Sequence, residues 1–170
     1  MIQDKSLLGT ISGILANIIM DIPQYPLWKL KIIRHPLSHY AGSLFVDLYT
    51  LHHTWYGSVA SFLADYTYSA LLGIIFVYWL SVSPQKESQQ DKSQRRHFLL
   101  KGLLYGAFLW FGSFGVLRSL HVVKLREVVP SDALFFFFLH LLFGLVLGWM
   151  AQKYLDSTGV LCRSQRNSGD

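Results

Sequence analysis

The stretch 98–117, FLLKGLLYGAFLWFGSFGVL, runs for twenty residues with a single charge, Lys101. At ~1.5 Å per residue a helix of that length covers roughly 30 Å, the thickness of bilayer hydrocarbon. Lys101 and Arg118 stand near its ends, where a long side chain can lay its apolar stem along the helix and keep its charge in water. Such a segment is hard to accommodate in a small soluble domain, so the remaining sequence is read as the company it keeps in a membrane.

Hydrophobic residues make up 52 % of the 170-residue chain, and they are blocked rather than spread at an amphipathic period. Four blocks emerge, at about 7–28, 55–80, 98–118 and 133–153. The first, short in its apolar part, contains Asn17 and Asp21 and meets Pro23 and Pro26, which predict a kink or an end because each removes a backbone donor. The second has Asp65 as its only charge, and the fourth has none, with His140 its single ionisable group. A polar loop at 81–97 and a polar tail at 155–170 lack apolar periodicity. Between the first two blocks, PLWKLKIIRHPLSHYAGSLFVDLYTLHHT mixes aromatic, basic and short apolar runs and predicts an amphipathic segment at the membrane interface. Ser131 or Asp132 is placed to cap the last helix. The expected fold is all-α: one integral membrane domain over 1–170, a four-helix bundle built from two tandem hairpins.

Charge placement sets the expected topology. The fifteen Lys and Arg divide nine to six between the two sides when the N-terminus is inside. That excess predicts cytoplasmic N- and C-termini in a multi-pass cell-membrane protein. The net charge of +5 resides in connections and at apolar ends, which suits anionic headgroups and not nucleic acid. The partners expected are the lipid bilayer and either a second copy of the chain or another membrane protein. The lone Cys162 excludes an internal disulfide and a multi-cysteine metal site. A cleavable signal peptide is not expected, since the start is weakly charged and no small-residue cleavage pattern follows.

The halves echo one another. Gly9 and Gly13 in the first block correspond to Gly102 and Gly106 in the third; Asp65, Ser69 and Gly73 in the second correspond to His140, Gly144 and Gly148 in the fourth. Small residues four apart form a stripe on one helix face, suited to close backbone contact where lipid supplies no hydrophobic drive. This predicts a parallel duplication, with the first and third helices packed through Gly9, Gly13, Gly102 and Gly106. The motifs GLLYGAFLW, beginning at Gly102, and LLFGLVLGW, ending at Trp149, resemble the YqhR-like and similar small four-span membrane proteins of spore-forming bacteria. That resemblance implies a multi-pass cell-membrane protein of uncharacterised function and brings no catalytic residues with it.

Candidate chemistry is sparse. His35, His39, His52 and His53 share a connection with Asp47, but Pro36 interrupts any helix aligning the first two, and adjacent histidines point apart, so no metal site is expected. No phosphate loop, zinc-protease motif, nucleophile elbow or paired-carboxylate motif occurs; Asp21 and Asp65 read as lying at opposite depths, and Phe135, Phe136, Phe137 and Phe138 as lipid-facing or packing bulk. No enzyme and no cofactor are expected. Asp65 and His140 are the expected intramembrane polar pair, either bonded to each other, with Tyr66, Tyr68 or Ser69 completing the shell, or each satisfied separately. The functions in view are a non-enzymatic structural, scaffolding or partner-binding protein, and a small transporter or channel subunit that uses those two residues.

Overall fold

A computed structural model of the chain describes residues 4–82, 91–117 and 130–158, with backbone alone at positions 48, 52, 91–95, 117 and 155–158. The connection at 118–129, including the charges predicted for it, lies outside the described residues, as do 83–90 within the polar loop and the tail from 159. The described residues form helices and short turns, with no strand among them. Four helices are long and apolar enough to cross a membrane: Lys5–Lys29, Trp55–Val82, Arg96–Val116 and Pro130–Tyr154. By that length and composition the chain is a membrane protein.

α1 spans Lys5–Lys29 and opens on Asp4, whose carboxylate accepts from the Ser6 N–H at 2.7 Å. As the block at about 7–28 predicts, it continues through Pro23 and Pro26, which do not end it. Gln24, fully buried between the prolines, strengthens this turn: its amide donates to the Asp21 carboxylate, and its carbonyl oxygen accepts from the Leu37 N–H at 2.8 Å. Lys31 then takes a left-handed φ of 58°, and the chain doubles back.

The predicted interfacial segment is two short helices. α2, Leu37–Gly42, buries Leu37, Ser38, His39 and Tyr40 instead of presenting one wet face. It is held from three sides: by Gln24, by the Arg34 N–H donating to Asp132 at 3.2 Å, and by Gly42, where an added Cβ would come within 2.8 Å of the Ser61 Cα. Asp132 therefore pins this turn to the start of the last helix. α3, Leu48–His53, is capped by Asp47, which accepts from the Thr50 N–H at 2.9 Å and from its hydroxyl at 2.7 Å. Those donors hold the Asp47 carboxyl below the usual carboxylate range. Because Gln24 joins α1 to α2, Gln24→Ala should cost about 1–3 kcal/mol. Faster amide exchange confined to residues 32–46, before global unfolding, is the expected sign.

α4 covers Trp55–Val82 and α5 covers Asp91–Trp110, so the end of the polar loop, from Asp91, is already helical. Its Lys, Gln and Arg are good helix formers, and the following span supplies the nucleus. α5 passes into a π-helical stretch, Phe111–Leu117, which widens the helix. α6 is Pro130–Thr158, with proline in its first turn, where a missing N–H costs nothing.

The glycine stripes pair within hairpins, not between them. Gly9 and Gly13 lie against Gly73, Ile74 and Ser69 of α4, whereas Gly102 and Gly106 lie against Gly144, Gly148 and His140 of α6. The expected packing of the first helix on the third is therefore replaced by two separate interlocks, α1 with α4 and α5 with α6. They match at the central glycine of α4 and of α6. A Cβ on Gly73 would overlap the Gly9 carbonyl oxygen and sit 2.8 Å from the Gly13 nitrogen; on Gly144 it would overlap the Gly102 carbonyl oxygen and sit 2.9 Å from the Gly106 nitrogen. This fixes the register of the repeat one turn away from the sequence match. Gly73 corresponds to Gly144 and Ser69 to His140, which leaves Asp65 opposite Phe136.

The hairpins run in the same direction, yet their contact is asymmetric. α1 packs closely along α6. The symmetry-related pair, α4 and α5, is bridged by Tyr105, whose hydroxyl donates to the Leu72 carbonyl at 2.8 Å and whose ring lies 5.0 Å from that of Phe76. The space beside this bridge is not filled.

Candidate functional site

That space is a cavity of about 450 Å³. α4 supplies one wall with Ala64, Asp65 and Tyr68; α5 and the π turn supply Leu109, Ser113 and Phe114; α6 supplies His140 and Phe143; and Tyr40 and Leu44 of the α2 region close one end. Its lining is overwhelmingly apolar. The mouth carries Phe45, Leu63 and Leu71, which are 73 %, 64 % and 54 % exposed. Leu63 and Leu71 lie in a candidate span.

Asp65 and His140 both line the cavity but are not bonded to each other. The Asp65 carboxylate accepts from the Asn17 amide at 3.0 Å, and His140 Nδ1 is 2.7 Å from the Phe136 carbonyl oxygen of its own helix. Their separation follows from the register: His140 belongs level with Ser69, one turn or ~6 Å along the helix from Asp65. The neighbours expected for Asp65 are also engaged differently, since the Tyr66 hydroxyl donates to Asp21 at 3.2 Å. Ser69 instead belongs to the glycine interlock.

Asp21 and Asp65, expected at opposite depths, meet in one polar cluster. α1 and α4 are antiparallel, and Asp21 stands eight residues from the α1 end at Lys29 while Asp65 stands ten from the α4 start at Trp55. Asn17 bridges them, one helical turn before Asp21 and hydrogen-bonded to Asp65. Gln24 and Tyr66 complete the Asp21 shell. No basic side chain bonds to either carboxylate among the described residues. Behind Tyr66, the Tyr25 ring stacks on Phe62 at 5.9 Å, and its hydroxyl lies 3.4 Å from Ser38 Oγ.

The second hairpin serves as an internal control. By the interlock register, Asn17, Asp65 and Tyr66 stand where Trp110, Phe136 and Phe137 stand; beyond Trp110 the π-helical stretch ends the correspondence, and Phe114 there packs against Trp110. Those four are aromatic and mutually packed, with Phe114 and Phe136 stacked at 5.5 Å and Trp110 and Phe137 edge-on at 5.3 Å. The same hairpin packing thus tolerates an apolar filling.

The histidines of the connection have ring neighbours. His39 is edge-on to Trp28 at 5.3 Å, His35 lies 6.1 Å from His39, and His53 stacks on Tyr49 at 4.7 Å with its Nδ1 3.0 Å from the Tyr49 carbonyl oxygen. No group of three metal-ligating side chains is gathered among the described residues. In the four-phenylalanine run, Phe136 is fully buried against Tyr40 and Phe114, whereas Phe138 is exposed. Compared with known proteins, the chain matches no family model, no curated protein and no solved structure.

Proposed function

We propose that this chain is a non-enzymatic, multi-pass cell-membrane protein that holds a lipid-like molecule, an apolar chain bearing one hydrogen-bonding group, in the cavity between α4, α5 and α6. The observation that carries this reading is an apolar cavity of about 450 Å³ with its mouth at Leu63 and Leu71, exposed residues of a candidate span, and with Asp65 and His140 in its wall. Its volume falls within the roughly 300–1,000 Å³ usual for small-molecule sites, where a few polar groups orient a mainly apolar ligand. A ligand entering sideways from the bilayer need not cross water.

Both termini are proposed to face the cytoplasm. The Arg34 to Asp132 bond places the α6 start beside the α1 end, so the α1 start and the α6 end share the opposite face of the bundle. The excess of basic residues on that side supports the orientation. Asp65 and His140 on one cavity also suit a small transporter or channel subunit, and proteoliposome flux of the ligand would distinguish carriage from holding.

Filling the cavity tests the reading. Ala64 lines it, so Ala64→Phe is expected to occupy the space while leaving the glycine interlocks intact. A spin-labelled fatty acid added to the wild type in vesicles should show a motionally restricted fraction that the variant lacks. Equal spectra from both proteins would contradict the proposal.

A further inference from the structure

We propose that Asp65 is a proton-binding site, carrying one proton in the folded protein near neutral pH and sharing it with the Asn17 amide, while Asp21 remains ionised beside it. The inference goes beyond ligand binding and does not depend on what fills the cavity.

The first observation is the difference in donors. Asp21 has a donor at each oxygen: the Gln24 amide at Oδ1 and the Tyr66 hydroxyl at Oδ2. That is the shell of a carboxylate, which can only accept. Asp65, by contrast, has the Asn17 amide nitrogen at Oδ2.

The second, independent observation is Asn17 itself. Its side chain is fully buried, and its Oδ1 has no hydrogen-bond partner although its Nδ2 is bonded to Asp65. A buried amide oxygen without a donor is costly, and an ionised Asp65 has no hydrogen to give it. A carboxylic acid does. With the proton on Asp65, acid and amide can form the reciprocal pair in which amide N–H donates to the carboxyl oxygen and carboxyl O–H donates to the amide oxygen. One proton then satisfies the orphan acceptor and removes an unpaired buried charge.

The surroundings agree. Around this pair, α1 contributes Asp21 and Tyr25 and α4 contributes Tyr66, while Tyr68, Tyr40 of α2 and His140 of α6 share the cavity wall with Asp65 and His39 stands farther along α2. Among these, His140 is bonded to its own helix and His39 packs on Trp28. Nothing in the hairpin packing requires the acid, since Trp110 and Phe136 occupy the corresponding places in the second hairpin. Asp65 also borders the cavity, whereas Asn17 and Asp21 are not part of its lining. Two carboxyl groups with different surroundings thereby divide into one acid and one carboxylate.

Infrared spectroscopy of the full-length protein in discs of ether-linked lipid, which has no ester carbonyl, reads this directly, because the solvent-exposed acids are ionised near neutral pH and contribute no carboxylic-acid carbonyl band. The expected result is one such band in the wild type, shifted in deuterium oxide, absent from Asp65→Asn and retained in Asp21→Asn. If Asp65→Asn fails to fold, retention of the band in both Asp21→Asn and Asp132→Asn, the other buried acids among the described residues, decides. Absence of the band from the wild type overturns the proposal, as does its loss in folded Asp21→Asn or its survival in Asp65→Asn. Sodium-dependent shifts of carboxylate bands with no acid band would identify a metal-cation site and would also overturn it.

Discussion

Replacing Gly106 with leucine is expected to abolish the native bundle, giving aggregated or non-cooperatively melting protein in detergent. A Cβ at this position would overlap the His140 carbonyl oxygen and stand 3.2 Å from the Leu141 Cα, so the obstruction is backbone, which cannot rotate away as a side chain can. Parting α5 from α6 would also strip the contacts that Gly102, Gly144 and Gly148 make along the same seam. The loss should be about 3 kcal/mol or more, the upper end for overpacking. Gly112 supplies the control, because a Cβ there meets nothing within 4 Å. Gly112→Ala should melt within about 0.5 kcal/mol of the wild type. Similar behaviour of the two variants would mean that α5 and α6 do not interlock through this stripe.

The second large effect concerns Asn17. Asn17→Leu should destabilise the protein by about 2–3 kcal/mol, because it strands Asp65 in the interior without its donor. Substituting the partner as well should reverse most of that loss. In Asn17→Leu with Asp65→Leu the position becomes apolar on both sides, as Trp110 and Phe136 already are in the other hairpin, and an apolar pair of similar volume commonly equals or exceeds a buried polar one in stability. Denaturation of the four proteins of the cycle should therefore show strong non-additivity. Additive losses would make the polar pair a structural necessity of the first hairpin.

Much of the architecture is legible in the residues because hydrocarbon thickness dictates span length and the apolar blocks have that length. The small-residue stripes were visible as well, but not their partners: a stripe at every fourth position says that a backbone comes close without saying whose. The sequence match aligns Asp65 with His140, whereas the interlock aligns Ser69 with His140, a one-turn slip that a four-residue periodicity cannot distinguish from the true register. The same stripe also carries the polar cluster. Gly9, Gly13, Asn17 and Asp21 follow one another at steps of four, as do Ser61, Asp65, Ser69 and Gly73, so Asn17 and Asp21 had to face α4 with the glycines. Other features had no local signature. The π-helical stretch after Trp110, the burial of α2 and the service of Gln24 and Asp132 as ties arise from tertiary fit, and α1 passes Pro23 and Pro26 without ending because side-chain and neighbouring-helix contacts can sustain a helix that proline weakens.

The cavity exists because the bundle departs from the symmetry of its halves. α1 lies along α6, but Tyr105 stands between α4 and α5 and leaves room beside it. In the proposed account that room is occupied in the membrane. Native mass spectrometry of the protein released from lipid discs tests this most directly. The wild type should emerge with one lipid-sized mass retained per chain, and Ala64→Phe should emerge without it; a bare wild type, or the same adduct on both, would contradict the account.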